Sequence, residues 1–338
     1  MLARQRFLVP AIVLLLAGAT LYAQYRGIDA ESKLPTEQQI EEVLKQRHDD
    51  ILDGVSGDPW RYRLLSEWGA EASYEVADGL GFDRPATVGF MGFRLLQNLA
   101  IFTLAWVFYR RLGLRQFEAA LGLGLLGWGM SQALYHGDFS FNTYGDLVMY
   151  LAAAVLILAG RYWWVVPLAA LAALNRETSG LIGVMLIATG LVVGRRTDGG
   201  RRALGAGAAA LAAFAATYGA VRLAVGPSFY IEANGRTAGF ELLDYNLFRG
   251  ITWDHLFQTL TIVPLLAVAA WRNWPRELVA FGLAIVPAWF LIHVFTSVLA
   301  ETRLVLVPLA LVFIPGALAG IAPRSPGSAR RPAAARSA

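Results

Sequence analysis

The triplet Asn175-Arg176-Glu177 interrupts two apolar runs in the stretch LAALAALNRETSG, residues 168–180. Ionised residues between two membrane-spanning helices are costly to place, and they usually serve a function. Adjacent helical positions point in different directions, so Arg176 and Glu177 cannot satisfy each other. Each of them therefore needs a partner from a distant part of the chain.

Two interpretations of this triplet remain open. In the first, the charges form a structural ion-pair node that fixes the runs 162–175 and 179–194 to their neighbours. In the second, they form a site for an anionic substrate, to which Asn175 also contributes. Arg176 would then bind a phosphate, because a guanidinium stays charged and can contact phosphate through two donors. Glu177 would act as a base or would orient the substrate.

A second group of charges follows the first apolar run. Asp49, Asp50 and Asp53 are candidate catalytic acids, and Arg61 and Arg63 are candidate substrate-binding residues. Asp49 and Asp53 share a helix face, where two carboxylates repel unless a cation or a shared proton relieves them. Such a pair can supply a base with a raised pKa or bind a divalent cation such as Mg²⁺ or Mn²⁺. The alternative is a solvated acidic helix.

Two further candidate groups lie later in the chain. His136 and Asp138, in the loop YHGDFSFNTYGD, are candidate substrate-binding or metal-binding residues. Glu301 and Arg303 repeat the pairing of an acid with an arginine at another helix end. We expect these two residues to be the partners of Arg176 and Glu177.

The composition is that of a membrane protein with many spans. The chain has 338 residues, of which 56% are hydrophobic and only 16% are charged. Its mean hydropathy is +0.48, which is too high for an ordinary soluble domain. The chain has no cysteine, which excludes disulfides, a thiolate nucleophile and a cysteine-based metal site.

The pattern of apolar runs predicts an all-α bundle of about ten transmembrane helices, each near the 20 residues that a span needs. Residues 1–322 form the predicted membrane domain, and residues 323–338 form a disordered, basic cytoplasmic tail. Residues 24–85 form an outer loop with amphipathic helices. The second of these helices is predicted to start at Asp58-Pro59 and to present Trp60, Leu64 and Trp68 on one apolar face. The predicted spans are residues 7–22, 86–109, 117–134, 145–160, 162–175, 179–194, 203–225, 255–271, 278–299 and 303–321. The first run could instead be a cleaved signal peptide.

The distribution of charge sets the expected orientation. With ten spans and a cytoplasmic N-terminus, 16 of the 29 basic residues face the cytoplasm with only three of the 25 acidic residues. An excess of Lys and Arg marks the cytoplasmic side. We therefore expect a multi-pass protein of the inner (plasma) membrane with both termini in the cytoplasm. Every candidate residue named above then lies at the outer face.

The layout resembles the bacterial membrane glycosyltransferases of the GT-C class. The likeness rests on the acid-rich first outer loop, the charges gathered at the outer face and the ALNRETSG turn between two short spans. The resemblance implies a polyprenyl-phosphate-linked sugar as donor and a glycan, lipid or protein as acceptor. It also implies a catalytic acid among Asp49, Asp50 and Asp53, and a donor phosphate bound by Arg176 with help from Arg303. In this chain those aspartates come some 25 residues after the first span rather than directly after it.

Three other functions remain as alternatives. A transporter or flippase for lipid-linked glycans would need access from both faces and broken helices in the membrane. An enzyme similar to the O-antigen polymerases would have a large late outer loop. A membrane scaffold would have no need for Arg and Glu at helix ends. We expect the lipid bilayer to be a partner of this chain and nucleic acid not to be one.

Overall fold

A computed structural model describes residues 2–32, 37–133, 139–227 and 235–321. The described part of the chain is helical and contains no β-strand. The helices are α1 (Leu2–Ser32), α2 (Glu37–Leu52), α3 (Leu64–Gly79), α4 (Pro85–Arg111), α5 (Gln116–Gln132), α6 (Phe141–Leu158), α7 (Val165–Ala173), α8 (Leu181–Val193), α9 (Asp198–Val225), α10 (Phe240–Phe248), α11 (Gly250–Leu260), α12 (Val263–Ala269), α13 (Arg276–Thr296) and α14 (Thr302–Ile321). Short 3₁₀ turns lie at Trp60–Tyr62 and Glu177–Gly180.

Six helices in the described ranges are long and apolar enough to cross a membrane. They are α1, α4, α6, α9, α13 and α14. The pair α11 and α12 would make a seventh span, but it is bent by 69° between its two halves. The segments Tyr162–Ala173 and Glu177–Val193 are apolar but shorter. A helix therefore occupies each of the ten predicted runs, although only six or seven of them have the length and apolar character of a span.

Close helix packing explains why the short helices α7 and α8 are stable. A Cβ placed on Gly183 or Gly207 would lie within 3.0 Å of a side chain on the facing helix, so α8 and α9 pack with their backbones near each other. Small residues allow this approach and increase dispersion contacts between apolar helices. Ala169, Ala172 and Met185 are fully buried in the same core. The α7–α8 turn is thereby held in a fixed place at one end of the bundle.

The two ends of the bundle differ in chemistry. The turns α4–α5, α8–α9 and α12–α13 lie at one end and are rich in arginine, as at Arg110, Arg195 and Arg272. The α7–α8 turn and the starts of α6 and α14 lie at the opposite end. At that end α2 and α3 pack on the first half of α4 around a second small core that includes Ile40 and Phe90. This assembly covers the polar end of the bundle.

Two predicted helix boundaries need correction. The helix α1 continues to Ser32, so the predicted outer loop 24–85 begins inside a helix. The second amphipathic helix begins at Leu64 rather than at Pro59, because Trp60 lies in a separate 3₁₀ turn. Its buried face includes Ser66 and Glu67, whereas Trp68 is half exposed. The tail 323–338 lies outside the described residues.

Candidate functional site

Three buried arginines from distant parts of the chain meet at the polar end of the bundle. Arg63 precedes α3, Arg176 lies in the α7–α8 turn and Arg303 lies in the first turn of α14. Their exposed fractions are 6%, 3% and 3%. Arg63 and Arg303 are both electrostatic neighbours of Arg176. So much positive charge in a buried place is costly, and it requires compensating anions. We call these three residues the arginine cluster.

Two of the three arginines have carboxylate partners. Arg63 donates from Nη2 and Nε to the two carboxylate oxygens of Glu177, at 2.5 and 3.3 Å. Arg303 donates to Glu301 at 2.8 Å, within its own turn. The prediction that Glu301 and Arg303 are the ion-pair partners of Arg176 and Glu177 is therefore wrong. Residue 63 lies far away in sequence, and no periodic pattern connects it with residue 177.

Arg176 is different from the other two, because no carboxylate among the described residues lies within ion-pairing distance of it. Its Nη1 donates to the hydroxyl of Thr143 over a long 3.4 Å, and its buried Nε has no partner. The opposite charges near it, Asp146 and Glu177, act only through space. A buried guanidinium with open donors is the feature that a bound anion would complete.

The buried acid Asp146 was not among the predicted site residues. It is fully buried in the first half of α6, and its carboxylate accepts hydrogen bonds from Ser179 at 2.6 Å and Thr178 at 3.1 Å. These bonds fix the turn that follows Arg176. An aspartate inside the apolar run of α6 was the available sequence signal, since ionisable residues within candidate spans are usually functional.

Asn175 organises the turn from the other side. Its amide nitrogen donates to the carbonyl of Asn142 at 2.7 Å, and its amide oxygen accepts from the hydroxyl of Ser66 at 2.5 Å. The backbone N–H of Leu65 donates to the carbonyl of Leu174 at 3.0 Å. The start of α3 is therefore attached directly to the α7–α8 turn. The amide nitrogen and the amide oxygen of Asn175 thus both have protein partners, and its role in substrate binding stays a prediction.

Trp60 stands between the arginines. The guanidinium groups of Arg63 and Arg303 lie 4.9 and 5.4 Å from its ring centre, and that of Arg47 lies at 5.3 Å. A tryptophan face attracts cations at such distances. The neighbouring ion pair between Asp58 and Arg222, at 3.0 Å, attaches this segment to the end of α9.

The remaining predicted residues lie outside the arginine cluster or outside the described ranges. Asp49 forms an ion pair with Lys45, Asp50 accepts a hydrogen bond from Gln46 at 2.8 Å, and Asp53 is exposed. The contacts of Asp49 and Asp50 are thus local to α2. Arg61 donates to the backbone carbonyls of Val225 and Pro227 at the end of α9. His136 and Asp138 lie outside the described residues.

Two further features of the described residues concern what the protein could bind, namely potential metal ligands and a cavity. Among the described residues, no group of three His, Asp or Glu side chains could hold a metal ion. Asp49 and Asp53 therefore belong to no such group in that part of the chain, and a site for Mg²⁺ or Mn²⁺ there stays a hypothesis. A cavity of about 510 Å³ runs between α3 and α4, and its lining, which includes Val76, Leu80 and Leu96, is apolar.

A substitution of Gly145 would test the close packing at the site. A Cβ on this residue would overlap the hydroxyl of Ser66 and lie 2.9 Å from the amide oxygen of Asn175. We expect Gly145→Ala to destabilise the protein by about 1–3 kcal/mol, as overpacking does. Gly205→Ala is the matched control, because a Cβ there meets nothing within 4 Å. Melting temperatures in detergent measure both effects, and equal values for the two variants would contradict this packing.

The fold and the site define a class: a helical protein that has, in its described ranges, six or seven candidate membrane spans and a buried polar cluster at one end of the bundle. Comparison with protein-family models, curated proteins and solved structures finds no match for this chain. The function proposed below is therefore argued from the residues themselves.

Proposed function

We propose that this protein is a membrane glycosyltransferase of the GT-C class, which transfers a sugar from a polyprenyl-phosphate donor to an acceptor at the outer face of the inner membrane. The observation that carries the proposal is Arg176, a buried guanidinium with an unpartnered Nε and no carboxylate partner among the described residues. A phosphate group of the donor would complete its hydrogen bonds and its charge balance.

The proposed topology has ten spans, with both termini in the cytoplasm. The short helices α7 and α8, the 17-residue α5 and the bent pair α11 and α12 complete the six long apolar helices. The support for this orientation is the concentration of arginine in the turns at one end of the bundle. The arginine cluster then faces the outer side, where a lipid-linked donor could enter from the bilayer between helices.

The proposed chemistry is a displacement at the anomeric carbon of the donor sugar. A hydroxyl of the acceptor attacks that carbon, the bond from the carbon to the phosphate oxygen breaks, and a carboxylate takes the hydroxyl proton. Glu177 is the candidate for this base because 36% of its side chain is exposed. Both of its oxygens contact Arg63, which keeps the carboxylate ionised but weakens it as a base, so this contact must loosen before Glu177 accepts the proton. Arg176 and Arg303 would stabilise the negative charge that develops on the leaving phosphate.

A transfer assay tests this function. The full chain is reconstituted in lipid vesicles with polyprenyl phosphates that carry different labelled sugars, together with extracts of membrane glycans and lipids as acceptors. We expect wild-type protein to move label from at least one donor, and Glu177→Gln to lose about 100-fold or more of that rate, the range of general-base catalysis. Glu241→Gln is the matched control, because Glu241 is exposed and its hydrogen bonds are to the nearby Thr237. Equal rates for both variants would remove Glu177 from the mechanism.

One observation favours a second candidate function, the transport of lipid-linked glycans. The bend of 69° between α11 and α12 produces a broken apolar segment, and at the break Thr261 has a positive φ of 51°. Broken helices are common in transporters. Movement of labelled lipid-linked sugar across the vesicle membrane, with no transfer to an acceptor, would favour this function over the transferase.

A further inference from the structure

A buried histidine outside the arginine cluster joins α2 to α3. His48 is 3% exposed, and its Nδ1 lies 2.9 Å from Glu67 while its Nε2 lies 2.7 Å from Glu71. The two glutamates occupy the same face of α3 at a spacing of four residues. The ring of Phe90 on α4 packs edge-on against the imidazole, with ring centres 5.0 Å apart.

This geometry fits one protonation state of the imidazole best. A neutral imidazole has one donor and one acceptor, whereas both ring nitrogens of an imidazolium donate. Two ionised carboxylates can therefore both be satisfied only by the doubly protonated ring. After loss of one proton, a ring nitrogen would face a carboxylate oxygen with no hydrogen between them, and the contact with one glutamate would become repulsive.

The helix α3, which makes this contact with His48, also contributes residues that surround the arginine cluster. Arg63 precedes the first residue of α3 and binds Glu177, and Ser66 donates to Asn175. Glu67 follows Ser66 directly in the chain. A shift of α3 relative to α2 therefore moves the groups that shape the site around Arg176.

We propose that His48 is a positioning residue, which in its doubly protonated form holds α3 in place for anion binding at the arginine cluster and releases it when the pH rises. The inference rests on the proposed anion site for its effect on binding, but not for the movement of α3.

The direction of the pH effect follows from the surroundings of His48. Burial, the largest influence, lowers its pKa, but hydrogen bonds and charges from Glu67 and Glu71 outweigh burial and raise the pKa above its ordinary value. The stabilisation is complete below the unfolded-state pKa of about 6.5, and it is lost as the pH rises through the raised folded-state pKa. The other charged or titratable groups on the elements packed around His48 include Glu41, Lys45, Arg47 and Asp49 on α2, Tyr74, Glu75 and Asp78 on α3, Arg94 on α4 and Tyr25 on α1.

Two substitutions separate this role from a merely structural one. In His48→Gln both N–H donors are on one nitrogen, and the amide oxygen can only accept, so the side chain cannot donate at the positions of both ring nitrogens and resembles the deprotonated state at every pH. In Glu71→Gln the new amide donates to a neutral imidazole, whose other nitrogen still donates to Glu67, so α3 stays held at every pH. If His48 had only a structural role, both variants should lower the free energy of unfolding to a similar extent.

The movement of α3 is measured with spin labels, because the chain has no native cysteine to remove. Labels are placed on Glu75→Cys in α3 and Ala220→Cys in α9, both at exposed positions. Between pH 5.5 and 8.5, we expect the distance distribution to shift in wild type and in the control His255→Gln. We expect it to stay in the high-pH form in His48→Gln and in the low-pH form in Glu71→Gln. A wild-type distribution that does not change with pH would overturn the proposal.

The link to the site is measured with farnesyl phosphate as the probe, at a single pH of 8.5 so that probe ionisation is the same for every variant. We expect Glu71→Gln to bind it about tenfold more tightly than wild type, within the range of coupling between sites. Equal affinities, with the distance shift present, would refute the link to anion binding. If no variant binds the probe, the proposed anion site fails while the movement of α3 still stands on the distance data.

Discussion

Replacing Arg176 with alanine is expected to lower the rate of sugar transfer by about 100-fold to 1,000-fold, the loss seen when one preorganised donor is removed from a developing negative charge. The physical reason is that Arg176 is buried and keeps donors that no described carboxylate takes up. Arg176→Lys should recover part of the rate, because lysine keeps the charge but loses the planar pair of donors. The measurement is transfer of labelled sugar in vesicles by each purified variant.

The control for this prediction is Arg249→Ala, which removes an exposed arginine without altering the arginine cluster. Farnesyl phosphate should raise the melting temperature of the wild type and of Arg249→Ala, but not that of Arg176→Ala, because a ligand stabilises only the folded state that binds it. A wild-type rate in Arg176→Ala would show that the guanidinium serves packing alone, and it would remove the observation on which the enzyme proposal depends.

The sequence was sufficient to predict the helical architecture. Long apolar runs can satisfy their backbone only as helices, so run length and periodicity locate α4, α9, α13 and α14 closely. The number of spans was harder to predict. The runs that form α7 and α8 were recognisably short, but composition does not reveal that the chain bends after Leu260, since a bend depends on packing against neighbours. The start of α3 was misplaced because a separate 3₁₀ turn, Trp60–Tyr62, lies between Pro59 and the helix.

The candidate site could be predicted only in part, and the reason is physical. Arg176, Glu177 and Arg303 stand out because each is a charge beside an apolar run, and all three lie in one polar cluster. The partner of Glu177 is Arg63 and that of Arg176 is Thr143, and such pairings are set by the three-dimensional path of the chain. Periodicity shows which face a residue occupies but not which other helix it meets. The sequence therefore identified the turn but assigned it the wrong ion pairs.

The second large effect is expected at Asp146, where alanine should destabilise the protein by about 3 kcal/mol, the lower estimate for two hydrogen bonds to a charged group. Removal of the carboxylate leaves the hydroxyls of Thr178 and Ser179 buried without their acceptor, and it takes away a negative charge near Arg176. Asp146→Asn should lose less, since the amide can still exchange hydrogen bonds with both hydroxyls. Thermal unfolding in detergent measures both variants.

The Asp146 variants also distinguish the two interpretations of the buried charges around Arg176, a structural ion-pair node and an anion-binding site. If the cluster is only a structural node, Asp146→Asn should lower stability without a specific effect on anions. If the cluster binds an anion, removal of a nearby negative charge while the turn is kept should increase the stabilisation by farnesyl phosphate, because less like charge then opposes the ligand. The exposed Asp198, which pairs with Arg201 at the opposite end of the bundle, provides the control, and Asp198→Asn should change neither quantity. A weaker response to the probe in Asp146→Asn than in wild type would contradict the phosphate assignment and leave the buried charges as a device that holds α6, α7 and α8 together.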